Sequence, residues 1–114
     1  MGYIYGILIK QDGEVDCLHV LHDVKVLREV IGCRCLDITS RYIGGKLYYI
    51  VCDDEFLLNG SLPTAYYIDG SLAFCGNIFI VNFDGRDDIC SLEKEDVKRI
   101  YGHIYDNNLI LDCF

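Results

Sequence analysis

The sequence is poor in proline, in basic residues and in long apolar runs, and each shortage argues against a class of protein. One proline, beside eleven glycines, argues against a low-complexity linker. No apolar run approaches the roughly 18 residues that a membrane-spanning helix requires. The N-terminus also lacks the basic region and the small-residue cleavage site of a signal peptide. We therefore expect a cytoplasmic protein that does not cross a membrane.

Acidic side chains outnumber basic ones. Ten lysines and arginines against 18 aspartates and glutamates give a net charge of −8. Binding to nucleic acid through its phosphates needs clustered lysines and arginines, so direct nucleic-acid binding is not expected. The charge suits docking on a basic surface of a partner protein. It equally fits a small domain that its charge keeps soluble.

Length and hydrophobicity predict one folded domain over residues 1–114. Hydrophobic residues make up 52% of the chain, which is enough for a core that needs no disulfide staples. An odd number of cysteines, most of them within apolar, strand-like runs, favours buried reduced thiols of a cytosolic protein over a disulfide framework. These cysteines are Cys17, Cys33, Cys35, Cys52, Cys75, Cys90 and Cys113.

Hydrophobic periodicity predicts a chain of short strands with two helices. A helix is expected to begin after Asp23 and to end at Gly32, and a second to begin at Ser91 or Glu93 and to end before Asp106. Apolar and alternating runs predict strands at 3–10, 15–20, 35–38, 46–52 and 75–83, with a short terminal strand or tail from 109. This order suits an α+β domain, with a mainly antiparallel sheet and two main helices packed on one face.

The segment 53–70 is the least regular part of the chain and the best candidate for a binding surface. Long ordered loops inside compact domains often carry function. The segment begins with the acidic run Asp53, Asp54 and Glu55, and Pro63 is expected to start one or two helical turns through Tyr67. Tyr66 and Tyr67 are candidate contact residues, because tyrosine buries a large area at a low entropy cost and keeps a polar tip.

No pattern in the sequence predicts a catalytic or a metal site. His19 and His22 lie near Cys17, and Cys33 and Cys35 follow, but structural zinc sites prefer Cys-x2-Cys pairs and none is present. No cysteine is marked as an activated nucleophile. The acidic turns do not match the spacing of a calcium-binding loop. We expect no enzymatic activity, no metal and no cofactor.

Several short segments carry a resemblance to a known family. They are Leu27–Gly32, Val51–Glu55, Leu58–Pro63, Cys75–Asn77, Asp84–Gly85, Asp87–Asp88, Ser91–Leu92 and Glu95–Asp96. Together they resemble the domain of unknown function 3846, a family that occurs mostly in phages, plasmids and conjugative elements of gut-type bacteria. Four positions depart from the family pattern: Cys33 replaces the second glycine of a Val-Gly-Gly step, Ser61 interrupts Gly-Leu-Pro, and Thr64 and Ala65 replace an asparagine and an arginine. The resemblance spans roughly residues 5–100 and implies a mobile-element setting.

Two hypotheses on function follow. The first is a non-enzymatic accessory protein of a phage or mobile element that binds and antagonises a component of host defence. The second is a protein that binds or sequesters a small-molecule nucleotide signal, with aromatic stacking and with phosphate contacts from Lys46, Arg41 and Arg86 near glycine-containing turns. The first hypothesis places the contacts with the partner protein in the segment 53–70.

Overall fold

The computed structural model describes residues 2–86 and 88–112, which form ten strands and two helices. The helices are α1 (Val24–Ile31) and α2 (Lys94–Tyr101). The strands are β1 (Tyr3–Ile9), β2 (Val15–Leu21), β3 (Leu36–Ile43), β4 (Lys46–Asp53), β5 (Pro63–Tyr67), β6 (Leu72–Cys75), β7 (Ile78–Phe83), β8 (Ile89–Cys90), β9 (Ile104–Tyr105) and β10 (Asn108–Leu111).

The strands form a large and a small sheet. The large sheet has the order β2-β1-β7-β4-β3, with β8 paired to the end of β7. The small sheet has the order β6-β5-β10-β9. All pairs are antiparallel except β5 with β10, which run parallel. The predicted α+β class and the mainly antiparallel pairing are therefore confirmed.

The central strands of the large sheet are apolar on both faces, and this builds two hydrophobic clusters. Side chains alternate between the faces of a strand. In β4, Tyr48 and Ile50 lie in the cluster that the small sheet covers, whereas Val51 lies in the cluster on the opposite face. In β7, Ile80 and Phe79 divide in the same way. The large sheet is thus the middle layer of the domain.

The two helices lie on opposite faces of the large sheet. Leu27 and Ile31 of α1 belong to the cluster with Val51, whereas Ile100 of α2 belongs to the cluster with Ile50. The prediction that both helices pack on one face is therefore wrong. Each helix has a clear apolar stripe, but a stripe does not specify which face of the sheet it will cover.

The ends of α1 follow from its sequence. The side chain of Asp23 accepts a 2.8 Å hydrogen bond from the backbone N–H of Lys25, which satisfies one of the free donors of the first turn. Gly32 ends the helix with φ at 79°, a left-handed conformation that glycine adopts without a steric penalty. Both boundaries agree with the predicted helix.

Four segments differ from their predictions. The segment from Pro63 to Tyr67 is strand β5 rather than a pair of helical turns, because it pairs with the distant strand β10. Strand β3 extends to Ile43, well beyond the predicted 35–38. The predicted strand 75–83 is interrupted at 76–77, and helix α2 ends at Tyr101. The predicted terminal strand is β10 as far as Leu111, and Cys113 lies outside the described residues.

Candidate functional site

Asp53 ends strand β4 and holds the base of the segment that follows. Its side chain is buried, and its Oδ1 atom accepts a 2.8 Å hydrogen bond from the backbone N–H of Glu55. Its Oδ2 atom accepts a 2.6 Å bond from Nδ2 of Asn59. Both carboxylate oxygens of this predicted binding residue are therefore engaged in hydrogen bonds within the protein.

The segment 54–62, which we call the leucine loop, presents apolar side chains to solvent. Phe56 points inward, with its ring centroid 5.8 Å from that of Phe74. The next two residues point outward: Leu57 is 72% exposed and Leu58 is 81% exposed. Leu62, at the end of the loop, is 60% exposed. Single exposed leucines are ordinary, whereas here three exposed leucines lie within six residues of one loop.

The leucine loop is fixed at its far end as well as at Asp53. The backbone N–H of Leu62 donates a 2.9 Å bond to Oε1 of Gln11, and its carbonyl accepts a 2.8 Å bond from the N–H of Gly76. Within the loop, the N–H groups of Leu58 and Asn59 both donate to the carbonyl of Glu55. The exposed leucines are consequently carried by an ordered segment.

Two further predicted residues flank the exposed leucines with negative charge. Asp54 is exposed, and its backbone N–H donates a 2.8 Å bond to the carbonyl of Cys35. Glu55 is half-buried, and its Oε1 atom lies 3.4 Å from Nη2 of the exposed Arg34. Such an exposed ion pair contributes little to stability, so the carboxylate of Glu55 stays available for other contacts.

The two predicted tyrosines belong to strand β5 and are half-buried. The hydroxyl of Tyr67 accepts a 2.9 Å hydrogen bond from Nε of Arg41 in strand β3. The other end of that guanidinium donates to Oγ1 of Thr39 and to the carbonyl of Ser40. Tyr67 therefore connects the small sheet to the large one rather than serving as an exposed stacking platform.

The predicted phosphate contacts do not converge on one site. Nζ of Lys46 lies 2.7 Å from Oδ1 of Asp96, and Arg41 is held by the contacts just described. Arg86 is exposed in the turn between β7 and β8, where its backbone N–H donates to Oδ1 of Asp84. The site residues named from the sequence are thus brought together only in part, at 53–55.

The most connected polar group is the carboxylate of Asp96, which joins α2 to the large sheet. It is 2% exposed and accepts hydrogen bonds from Lys46, from the Tyr48 hydroxyl, from Asn82 and from the backbone N–H of Glu93. Burial opposes its ionisation, but these donors outweigh burial and lower the pKa of Asp96. Because both oxygens of this carboxylate are engaged within the protein, we assign Asp96 a structural role in stabilising the fold.

Cavities in the described part of the chain include one basic groove and several small ones. The groove has a volume of about 460 Å³ and is lined by residues that include Lys25, Arg28, Cys33 and Arg34. Three others have volumes of about 160 to 210 Å³, below the roughly 300 Å³ at which small-molecule pockets usually begin. No group of three or more His, Cys, Asp or Glu side chains is arranged to hold a metal ion among the described residues.

The exposed leucines are the feature that sequence reasoning missed. The run Phe56-Leu57-Leu58 follows three acids and precedes a turn at Asn59-Gly60, so three consecutive apolar residues occur where no regular element is predicted. Apolar residues that have neither a helical nor a strand period to bury them are a signal of a surface apolar patch. The sequence analysis places the candidate contacts of segment 53–70 on its acids and tyrosines and does not include the leucines.

Comparison with known proteins identifies a family. The family model described as "Domain of unknown function (DUF3846)" matches residues 4–105, and the chain therefore belongs to this family. No curated protein and no solved structure gives a significant match. In the described residues, no helix has both the length and the apolar character needed to cross a membrane.

Proposed function

We propose that this member of the family is a non-enzymatic accessory protein that acts by binding another protein through its leucine loop. The observation that carries the proposal is the 60–81% exposure of Leu57, Leu58 and Leu62 on a loop that is hydrogen-bonded at both ends. Apolar side chains that an ordered segment keeps in contact with water raise the free energy of the isolated domain. A partner that covers them removes that cost.

Covering this loop contributes favourable free energy to the binding of a partner. Fully burying one leucine side chain is worth about 1.5–3 kcal/mol, so two or three of them supply the centre of an interface. The hydrogen bonds of Asp53 to Glu55 and Asn59 already order the loop in the free protein. Less conformational entropy is therefore lost on binding than for a flexible segment.

The charges beside the leucines specify the kind of surface that fits them. Asp54 and Glu55 lie at the start of the loop, and the whole chain carries a net charge of −8. Complementary charges accelerate encounter and select against wrong partners. The partner we propose therefore has an apolar cleft with a basic rim.

We further propose that the partner is a component of bacterial defence against phages and other mobile elements. This choice of partner rests on the resemblance of the chain to proteins of mobile elements. The experiment measures phage plating on a bacterial strain that carries a defence system, with the wild-type protein or with the Leu57→Ser/Leu58→Ser variant expressed in the cell. Restored plating with the wild-type protein and not with the variant supports the proposal.

The control for this experiment is Tyr105→Ser, which removes an exposed apolar side chain far from the leucine loop in sequence. It is expected to restore plating as well as the wild-type protein does. All three proteins are compared by circular dichroism and by expression level. Equal plating with the wild-type and the double variant, or no restoration by the wild-type protein against any defence system tested, contradicts the proposal.

A second candidate function, the binding of a nucleotide signal, is favoured by one observation. The basic groove of about 460 Å³ brings together Lys25, Arg28 and Arg34, three of the ten basic residues of this acidic chain. The groove runs along α1 from Lys25 to the C-terminal end of the helix, where the helix dipole is unfavourable to an anion. Native mass spectrometry of protein isolated gently from a bacterial lysate distinguishes the two functions, since only a nucleotide binder retains a mass of nucleotide size.

A further inference from the structure

Strand β3 is an edge strand of the large sheet, and its hydrogen-bond register shows which of its backbone groups face outward. Its pairing with β4 continues to Cys35, whose carbonyl accepts a 2.8 Å bond from the N–H of Asp54. Paired and unpaired residues alternate along an antiparallel strand, so the odd-numbered residues bond to β4. The carbonyl of Tyr42 accepts a bond from the N–H of Asp112 outside the pair, which agrees with this assignment.

The even-numbered residues of β3 therefore direct their N–H groups away from the sheet. Leu36, Ile38 and Ser40 make no backbone hydrogen bond on this side to any described residue. The carbonyl of Ser40 is used, because it accepts a 2.7 Å bond from Nη1 of Arg41. An edge with a row of open amides is a template for pairing with another extended chain.

An apolar surface lies beside this edge, on the face that carries α1. The helix has eight residues and covers only part of the sheet, so Ile38 stays 41% exposed and Tyr42 43% exposed. Between the helix and the sheet lies a cavity of about 200 Å³ whose apolar lining includes Val24, Leu27, Ile38 and Tyr49. This volume is suited to one side chain and is small for a nucleotide.

One acidic residue lines the cavity, and two others lie close to its lining residues in sequence or by hydrogen bonding. Asp88 lines it and lies 3.4 Å from Nε2 of His22, and Asp84 bonds to Asp88 within the same turn. Asp23, which caps α1, lies between two of the lining residues in sequence. The cations near these carboxylates are His22, Arg86 and, at the edge itself, Arg41 on the Ser40 carbonyl. The net charge of −8 of the whole chain makes a basic partner segment the one that the charge favours.

We infer that the outer edge of β3 accepts an extended segment of a partner protein, whose side chains alternate between apolar and basic residues. The segment adds a strand to the large sheet through the open amides of Ile38 and Ser40. One of its apolar side chains enters the cavity beside Ile38. Main-chain bonds supply affinity in such strand addition, and pockets for alternate side chains supply specificity. This surface is separate from the leucine loop and does not depend on the proposed role of that loop.

The test uses a synthetic ten-residue peptide of alternating valine and lysine. Binding to the full chain is measured by fluorescence anisotropy, and amide hydrogen exchange is followed by NMR. We expect saturable binding that slows exchange at Ile38 and Ser40. A block peptide of five valines followed by five lysines has the same composition and charge, and it is expected to bind at least about tenfold more weakly.

Two variants separate backbone pairing from side-chain contact. Ser40→Pro removes one outward N–H and leaves the bonds to β4 intact, and proline is tolerated at such edge positions. Ile38→Lys changes the cavity wall without altering the backbone. Each is expected to weaken peptide binding about tenfold. The matched control is Cys17→Pro on β2, the opposite edge of the sheet, where the bonds of Lys10 to Glu14 and of His22 to Gly2 place the N–H of Cys17 outward.

Several results overturn the inference. If the alternating and the block peptide bind with equal affinity, the protein attracts them through their charge alone and not through strand pairing. If the peptide slows amide hydrogen exchange at Cys17 and His19 instead of Ile38 and Ser40, it pairs with the β2 edge and not with β3. Pairing of two copies of this chain through β3, detected as a dimer that Ser40→Pro dissociates, assigns the edge to self-association. Absence of saturable binding also overturns it. None of these results bears on the leucine loop, which all three variants retain.

Discussion

The hydroxyl of Tyr48 donates a 2.8 Å hydrogen bond to Oδ1 of Asp96, and this bond joins the middle of the large sheet to the first turn of α2. Nη1 of Arg99 in turn donates a 2.8 Å bond to the same hydroxyl. Burial, together with the neighbouring carboxylate, raises the pKa of Tyr48 to about 12. The phenol therefore stays protonated and remains a donor throughout the physiological pH range.

Replacing Asp96 by asparagine is expected to destabilise the protein by about 3 kcal/mol, because it removes the negative charge that pairs with the Lys46 ammonium and places an amide nitrogen against buried donors. Oδ2 accepts from Nδ2 of Asn82 and from the N–H of Glu93, and an amide nitrogen in that place would face two donors. The measurement is the free energy of unfolding by urea. Glu95→Gln, an exposed acid in the same helix turn, is the control and is expected to change it by less than about 0.5 kcal/mol. Equal stability of the two variants contradicts the structural role of Asp96.

Low pH is expected to lower the folding stability of the protein by protonating the carboxylate of Asp96. The pKa of Asp96 is lowered in the folded state, so its ionised form adds stability that is present above the unfolded value of about 3.9. That stability is lost as the pH falls through the lower folded pKa. Urea midpoints measured between neutral pH and pH 2.5 should therefore fall less steeply for Asp96→Asn than for the wild-type protein. Parallel curves would show that Asp96 is not linked to folding.

The thiols are expected to differ widely in reactivity. Burial raises the pKa of Cys52 to about 12, whereas Cys17 and Cys35 are exposed. Because the thiolate is the reactive form, iodoacetamide at pH 8 should alkylate Cys17 and Cys35 first and leave Cys52 unmodified in the native protein. Peptide mapping by mass spectrometry gives the order. Labelling of Cys52 as fast as Cys35 contradicts the buried position of Cys52, and labelling in urea verifies that every site can react.

The elements with local signals could be predicted from the sequence. Helix α1 has a capping aspartate at Asp23 and a stop at Gly32, and both act within one turn of the helix. Strands β4 and β7 are alternating or continuous apolar runs, and their burial on both faces matches that pattern. The start of α2 is likewise predicted, at Ser91 or Glu93, and its N-cap is Glu93, whereas the deeply buried contact of Asp96 is not predicted.

The parts that could not be predicted depend on residues far apart in sequence. Pro63–Tyr67 has a proline at its start that suits a helical turn, but its parallel pairing with Leu109–Leu111 makes it a strand. The inward orientation of Asp53 depends on Asn59 and on the whole turn between them. The choice of opposite faces for the helices depends on how the small sheet occupies one side of the large sheet. Local periodicity contains none of these relationships.

The central claim is that the leucine loop contacts a protein, and site-specific photo-crosslinking tests it most directly. A photo-reactive amino acid replaces Leu58 in one protein and the exposed Glu29 on α1 in the control protein. Both proteins are expressed in cells that carry a defence system against which the wild-type protein restores phage plating. The account predicts one crosslinked protein from position 58, lost when Leu57→Ser is added, and none from position 29. Identical products from both positions, or no product from position 58 while plating is restored, would contradict it.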